Sequence, residues 1–294
     1  MLSDSMQWAF GALALLALLP LGLHRAIRRG LAAPRVVKTQ APSDLPWQAA
    51  VIPTRNGKRL HAWWIPTVAG APALVVMHGW GGNAEMMLPL AGPLHRAGYA
   101  LLLVDARCHG RSDDDSFASL PRFAEDIEAA LDWLVEQPDV DPNRLGVIGH
   151  SVGAGAALLA ASRRPTLRAV VSLAAFAHPQ VMMRRWLASK RIPYWPLGAY
   201  ILAYVQRVIG HRFDAIAPVN TIARVACPVL LVHGLEDDTV PLSDAEAILA
   251  AAAPGRVQLL RVPGSHDDYG DIDRNLPALT TFLAAAFSDP PAAT

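Results

Sequence analysis

The stretch Gly149-His150-Ser151-Val152-Gly153 is the part of the sequence whose residue types most clearly suggest chemistry. It follows an apolar run that predicts a buried strand, and it precedes an alanine-rich run that predicts a helix over 152–163. A serine between two glycines at such a junction can occupy a sharp turn that exposes its hydroxyl group. In the alternative interpretation the glycines only shape the turn, and Ser151 caps the helix. We expect Ser151 to be a nucleophile.

A serine hydroxyl is a weak nucleophile, so the chain must also supply a base and an acid that orients this base. When the serine lies on a strand-to-helix turn, the acid and then the histidine follow it along the chain. Three adjacent carboxylates at 236–238 follow the strand predicted at 229–232, and their chemistry leaves the choice among them open. His266 follows the last predicted strand, 257–262, and is the expected base. The alternative is a solvated loop histidine.

The elements that must position these groups follow from the hydrophobic pattern of residues 49–287. Short apolar runs alternate with helical segments, which predicts an α/β fold with a mainly parallel, doubly wound sheet of about eight strands. The sequence Asn56-Gly57 predicts a hairpin between the first two strands. The predicted strands cover 49–54, 59–66, 73–77, 100–104, 145–148, 169–173, 229–232 and 257–262, and the predicted helices cover 84–97, 118–136, 152–163, 243–253 and 277–287.

One segment, at about 176–224, interrupts this alternation and predicts a short helical cap. An insertion at the carboxyl edge of an open α/β sheet can lie over a ligand pocket at that edge. We expect an apolar substrate pocket there, lined by Trp80, Met86, Met183 and Trp186. In the alternative interpretation, the apolar side chains of the insertion only pack it onto the sheet.

Residues 49–287 resemble the α/β-hydrolase family in three further motifs. The sequence His78-Gly79-Trp80-Gly81-Gly82 is similar to the oxyanion loop of the family. The run 105–112 resembles its Asp-x-Arg-Gly-His-Gly-x-Ser turn, and the run 233–241 resembles its acid loop. The match to the acid loop implies Asp237 as the catalytic acid, with the two other carboxylates as its neighbours.

The resemblance implies a Ser-His-Asp hydrolase with an α/β-hydrolase fold. In this family Ser151 would attack an acyl carbonyl, His266 would take the serine proton, and Asp237 would orient the imidazole. The backbone N–H groups of Trp80 and Val152 would form the oxyanion hole. These assignments are what the family motifs imply for this chain.

We expect the substrate to be a carboxylic ester with an apolar or lipid-like acyl group, cleaved through an acyl-enzyme intermediate. Three alternatives remain. One is a serine peptidase of the aminopeptidase or prolyl-oligopeptidase-like type, although the predicted cap has no acid before Asp214 to hold a substrate amine. The second is a thioesterase or acyltransferase, which would use the same residues. The third is a non-catalytic, membrane-tethered binding protein.

Composition excludes several other classes of function. The formal net charge is +1, which gives no field for binding nucleic acid. The sequence has no metal-ligand cluster and no phosphate-binding glycine loop, so we expect no metal and no cofactor. The two cysteines, Cys108 and Cys227, predict no disulfide framework. Cys108 stands where the family turn usually has glycine, and its neighbour His109 makes it an alternative nucleophile. The oligomeric state stays open.

The N-terminal region contains an apolar run, 8–23, that predicts a membrane anchor extending over 8–27. Basic residues follow the run, which favours a cytoplasmic catalytic domain. The alternatives are a cleaved signal peptide with export of the enzyme, and a buried helix. The predicted organisation is an anchor at 1–30, a linker at 31–48, the hydrolase domain at 49–287 and a tail at 288–294.

Overall fold

The predicted sheet is present in the computed structural model of the chain, which describes residues 20–37, 40–268 and 272–288. Its strands are β1 (Gln48–Thr54), β2 (Lys58–Ile65), β3 (Ala73–Met77), β4 (Ala100–Val104), β5 (Leu145–His150), β6 (Ala169–Leu173), β7 (Val229–Gly234) and β8 (Val257–Val262). They form one eight-stranded sheet in the order β1-β2-β4-β3-β5-β6-β7-β8. Strand β2 is antiparallel to both β1 and β4, and all other neighbours are parallel. The predicted mainly parallel sheet is confirmed.

Helices flank this sheet and bury its central strands. They are α1 (Leu88–Arg96), α2 (Leu120–Val135), α3 (Val152–Ala161), α4 (Pro179–Ser189), α5 (Ala199–Ile209), α6 (Phe213–Ile216), α7 (Pro218–Thr221), α8 (Leu242–Ala250) and α9 (Ile272–Ser288). Every residue of β3, β4, β5, β6 and β7 is buried, as expected for continuous apolar runs between two helical layers. One hydrophobic cluster joins these strands to α1 and α9. The carboxyl ends of β5 and β7 therefore belong to buried, well-packed strands.

The insertion between β6 and β7 forms the predicted helical cap, made of α4 to α7. An ion pair fixes it to α8: the Arg185 guanidinium donates to both carboxylate oxygens of Asp244, at 2.8 and 2.7 Å. Asp244 is buried and also accepts a hydrogen bond from the backbone N–H of Ala177, at 3.0 Å. The start of the insertion and its first helix are therefore tied to the same carboxylate.

The N-terminal helix does not support the predicted membrane anchor. Residues 8–19 of the predicted span lie outside the described residues, and residues 20–30 are helical. This helix carries basic side chains, among them Arg25 and Arg29. Among the described residues, no helix is long and apolar enough to cross a membrane. The predictions of a transmembrane helix over 8–27 and of a membrane-anchored location are therefore wrong, and membrane association is not supported.

The chain divides into two units between Ala33 and Pro34, inside the predicted linker 31–48. The other predicted domain limits stay predictions, and residues 289–294 of the predicted tail lie outside the described residues.

The ion pair between Arg185 and Asp244 allows a prediction of how much the attachment of the cap to α8 contributes to stability. Arg185→Met leaves the buried carboxylate of Asp244 with fewer donors, so we expect the free energy of unfolding to fall by about 2 kcal/mol in chemical denaturation. The matched control is Arg184→Met. Arg184 is exposed and stacks on Tyr194 at 4.3 Å, so its loss should cost about 0.5 kcal/mol. Equal losses in the two variants would contradict the anchoring role.

Candidate active site

Ser151 occupies a strained turn between β5 and α3, with φ 53° and ψ −116°. Positive φ is uncommon for a residue with a side chain, so the surrounding structure must hold the turn. The flanking glycines allow its close packing: a Cβ on Gly149 would lie 2.2 Å from the carbonyl oxygen of Gly153. A Cβ on Gly153 would lie 2.4 Å from the carbonyl oxygen of His78. The sequence therefore needs glycine at both positions to raise the serine above the sheet edge.

The structure brings the three predicted catalytic side chains into one line. The Ser151 Oγ lies 3.0 Å from Nε2 of His266. The other ring nitrogen of His266, Nδ1, lies 2.8 Å from Oδ2 of Asp237. Both distances are those of direct hydrogen bonds. With Nδ1–H donating to the carboxylate, Nε2 can accept the serine proton.

The acid loop buries Asp237 and also provides hydrogen bonds to the second oxygen of its carboxylate. Its Oδ1 accepts hydrogen bonds from the backbone N–H groups of Val240 at 2.7 Å and Thr239 at 3.0 Å. The neighbouring carboxylates of Glu236 and Asp238 are exposed. Glu236 instead accepts a hydrogen bond from the backbone N–H of Gly264, which ties the acid loop to the histidine loop. Among the three carboxylates at 236–238, it is Asp237 that contacts His266.

The predicted oxyanion loop lies beside the serine turn, and a buried histidine fixes its start. His78 Nε2 accepts a hydrogen bond from the N–H of Ala106 at 3.1 Å, and Nδ1 donates to the carbonyl of Gly79 at 2.6 Å. Burial lowers the pKa of His78 to about 4, so its ring is neutral near pH 7. A Cβ on Gly79 would lie 3.1 Å from Cβ of Ser151, which shows how closely the two loops approach.

The two predicted oxyanion donors lie on these two segments, one on the oxyanion loop and one at the start of α3. Val152 is the first residue of α3, so its N–H has no acceptor within the helix. Trp80 lies in the loop after β3, and its half-exposed ring stands edge-on to His109 at 5.8 Å. The assignment of the two N–H groups to an oxyanion hole stays a prediction.

A segment of the predicted linker contacts the oxyanion loop, which the sequence analysis missed. Gly81 has φ 72°, and a Cβ there would lie 2.7 Å from Cγ of Pro34. The side-chain amide of Asn83 donates to the carbonyl of Val36 at 2.9 Å. Arg35 donates to the carbonyl of Gly110 at 2.9 Å. Residues 34–36 therefore belong to the support of the site, although their composition is that of a linker.

The turn 105–112 supports the oxyanion loop through a buried carboxylate. Asp105 accepts hydrogen bonds from the N–H groups of Ala84 at 2.7 Å and Arg111 at 2.8 Å. Cys108 has φ 66° in this turn, a conformation that suits the glycine usual in the family motif. Burial raises the pKa of the Cys108 thiol, which disfavours a thiolate nucleophile.

An apolar groove of about 240 Å³ begins next to the site and runs between α1 and α9. Met86, His150, Leu260 and Leu276 are among the residues that line it. Of the four predicted pocket residues, Met86 is a lining residue of this groove. Trp80, Met183 and Trp186 are not among the described residues that line it; Met183 and Trp186 lie half-buried on α4 in the cap.

One group of side chains within the described residues has donor atoms close enough to hold a metal ion. The ligand atoms of His150, His266 and Asp267 lie within 4.8 Å of one another. No sequence motif marks this group, because His150 is distant from the other two residues along the chain. The ring nitrogens of His266 already contact Ser151 and Asp237, so a metal ion would have to displace these hydrogen bonds.

Comparisons with known proteins agree with this fold and these motifs. The family model described as "Serine aminopeptidase, S33" matches residues 71–212. Rv2307c, an uncharacterized protein of Mycobacterium tuberculosis H37Rv, is 33% identical over 238 residues, which cover 79% of this chain and 78% of the relative. The chain belongs to the α/β-hydrolase family. YfhR of Salmonella typhimurium, also uncharacterized, is 26% identical over 261 residues, which cover 85% of this chain and 86% of the relative.

Solved structures of other α/β-hydrolases share the fold. The esterase Pf2001 of Pyrococcus furiosus superimposes with a TM-score of 0.70 at 22% identity, covering 87% of this chain and 97% of that one. Est1E of Butyrivibrio proteoclasticus, solved with ferulic acid bound, gives a TM-score of 0.64 at 21% identity, covering 82% of this chain and 100% of that one. These two structures therefore show that the chain shares the fold of solved α/β-hydrolases.

The packing of the serine turn predicts that two glycine-to-alanine substitutions change the free energy of unfolding very differently. In Gly153→Ala the new Cβ meets the backbone of β3, so we expect the free energy of unfolding to fall by at least about 2 kcal/mol. The matched control is Gly92→Ala in α1, where the Cβ meets the flexible tip of Arg96 at 3.3 Å. That variant should be neutral or more stable by up to about 1 kcal/mol. Chemical denaturation measures both, and a well-tolerated Gly153→Ala would refute the steric account.

Proposed function

We propose that this α/β-hydrolase is a serine esterase that cleaves carboxylic esters with apolar acyl groups through an acyl-enzyme on Ser151. The observation that carries the proposal is the continuous pair of hydrogen bonds through His266. One joins it to Ser151 at 3.0 Å and the other joins it to Asp237 at 2.8 Å. Such an arrangement makes a serine hydroxyl nucleophilic at neutral pH.

In the first half of the proposed reaction, the Ser151 oxygen attacks the ester carbonyl carbon while its proton moves to Nε2 of His266. The electron pair of the carbonyl π bond moves onto the carbonyl oxygen. When the tetrahedral intermediate collapses, the bond to the alkoxide breaks, and His266 delivers the proton to the departing alcohol. The acyl group remains bonded to Ser151. Asp237 stabilises the imidazolium that exists between these steps.

In the second half, water takes the place of the alcohol. His266 removes a proton from the water as it attacks the acyl carbon, and the same proton then returns to the Ser151 oxygen as the bond to the acyl group breaks. The products are the carboxylic acid and the free enzyme. Besides the ester, water is the one reactant that is consumed.

The negative charge of each tetrahedral intermediate needs donors that are fixed in advance. We assign this role to the backbone N–H groups of Trp80 and Val152. The start of α3 also carries the positive end of the helix dipole, which favours an anion at that point. One such donor typically stabilises the transition state by about 3 to 4 kcal/mol. The neutral ring of His78 supports the loop that carries the first donor.

The apolar groove supports an aliphatic acyl group as the part of the substrate that is recognised. Its lining includes His150, which directly precedes the nucleophile in the sequence, and Met86. We place a medium-length acyl chain, such as an octanoyl group, in this groove of about 240 Å³. Pf2001 is named an esterase, and Est1E was solved with ferulic acid, which agrees with ester chemistry on this fold.

A serine aminopeptidase is the second candidate, because the matching family model carries that description. An aminopeptidase must hold the ammonium group of its substrate, usually with carboxylates. Asp214 is the one acid in the insertion 176–224, and it is bonded to His178 at 2.9 Å. This arrangement favours the esterase.

The chemistry is tested by comparing an octanoyl alkyl ester with aminoacyl anilides that carry a free amine. We expect hydrolysis of the ester and none of the anilides. Asp237→Asn should lower kcat for the ester by about 10⁴-fold, because the imidazole loses the partner that fixes its tautomer. The matched control Asp238→Asn removes an exposed charge one residue away, and kcat should change by less than about threefold. Preferred cleavage of the anilides would establish the peptidase, and equal effects of the two substitutions would refute the triad.

The groove predicts how kcat/KM depends on the length of the acyl chain of the ester. Leu276→Trp fills the groove from α9, so kcat/KM for an octanoyl ester should fall by at least about tenfold. For an acetyl ester, which does not reach the groove, the value should change by less than about twofold. Ala278→Trp adds the same ring on the exposed side of the same helix and serves as the control. If Leu276→Trp lowers both esters equally, the acyl chain does not occupy the groove.

A further inference from the structure

We infer that His150 is a positioning residue for the catalytic base: its side chain holds the backbone of His266 so that the imidazole of His266 stays aligned between Ser151 and Asp237. The inference rests on the proposed function, because it assigns a role in the same reaction. In the hydrogen bond described below, His150 contacts the backbone of His266 and not the reacting atoms.

The first observation is a hydrogen bond between the two histidines. Nε2 of His150 donates to the backbone carbonyl of His266 at 2.9 Å. The two rings lie 5.1 Å apart, centroid to centroid. His150 is the last residue of β5, so the donor stands on the buried sheet, whereas the acceptor lies in the loop after β8. The rigid strand that presents the nucleophile therefore also anchors the base.

The second observation is the burial of His150, which leaves it little space on the side of the oxyanion loop although it also lines the groove. The residue is 7% exposed. On the side of Nδ1, a Cβ added to Gly79 would lie 2.9 Å from this atom. The ring is thus held between the oxyanion loop and the histidine loop. A buried ring in such a position fixes the carbonyl of His266 relative to β5 and to Gly79.

The third observation concerns charge. His266 becomes positively charged during the proposed reaction, and a second cation 5.1 Å away would oppose this step. Burial lowers the pKa of His150, which keeps its ring neutral near pH 7. A neutral ring with a proton on Nε2 supplies the hydrogen bond without the opposing charge.

The rest of the histidine loop is tied down on either side of residue 266. The carbonyl of Gly264 accepts from the N–H of Glu236 at 2.9 Å, and the N–H of Ser265 donates to the carbonyl of Asp268 at 2.6 Å. The bond from His150 adds a fixed point at residue 266 itself. A loss of this point would let the imidazole rotate or shift while the loop stays folded.

The test compares His150→Phe, which keeps the ring shape without the donor, with His150→Gln, which keeps an N–H at a similar distance. We expect kcat for an acetyl ester, which does not reach the groove that His150 also lines, to fall by about 10- to 100-fold in the Phe variant with KM nearly unchanged, because small displacements of a catalytic group are costly. The Gln variant should recover kcat to within about fivefold of the wild type. The far-downfield NMR signal of the proton between His266 and Asp237 should weaken in the Phe variant and persist in the Gln variant.

The matched control is His95→Phe. His95 Nε2 also bonds to a backbone carbonyl, that of Pro66, at 2.9 Å, but it lies on α1 away from the triad. This variant tests whether loss of a histidine-to-carbonyl bond lowers kcat through stability alone, and we expect kcat and the downfield signal to be unchanged.

Three results would overturn the inference: a Phe variant with the kcat and NMR signal of the wild type, a Gln variant as impaired as the Phe variant, or a His95→Phe variant with the same loss of kcat. Failure of the proposed function has a different outcome, namely no Ser151-dependent hydrolysis in the wild type. In that case the NMR signal still decides whether His150 aligns His266 with Asp237.

Discussion

The hydrogen bond between Nε2 of His266 and the Ser151 hydroxyl is the interaction on which the proposed chemistry depends. It joins residues 115 positions apart at a distance of 3.0 Å. The bond from Asp237 to the other nitrogen of the same ring gives the imidazole its orientation. Because activation of the serine falls steeply with misplacement, three loops from different strands must be held within a fraction of an ångström. Most features around the site serve this requirement.

The fold meets the requirement by connecting the loops to each other as well as to the sheet. The serine turn is packed so closely that glycine is needed at both flanks: a Cβ on Gly149 would meet the backbone of Gly153, and a Cβ on Gly153 would meet the backbone at the end of β3. The backbone N–H of Ser151 donates to the carbonyl of Leu173 at 2.8 Å, which ties the turn to β6. The acid loop is bonded to the histidine loop through Glu236. Each loop is thus fixed by its neighbours.

The sequence was sufficient for the sheet and for the three aligned side chains, because continuous apolar runs and short motifs are local signals. It was not sufficient for contacts between distant segments. Residues 34–36 have the composition of a linker, yet they pack against the oxyanion loop. The bond from His150 to the backbone of His266 joins two positions whose side chains follow no shared pattern. The predicted membrane anchor was wrong, since no helix among the described residues is long and apolar enough to cross a membrane.

The most direct test of the account is to identify the residue that becomes acylated during turnover. Wild-type protein is mixed with a nitrophenyl octanoate ester, quenched in acid during the first turnover, and analysed by intact mass and peptide mapping. The account predicts one octanoyl group per chain on the peptide that contains Ser151, and none in Ser151→Ala. An octanoyl group on Cys108, or rapid ester consumption with no covalent adduct on the serine, would contradict it.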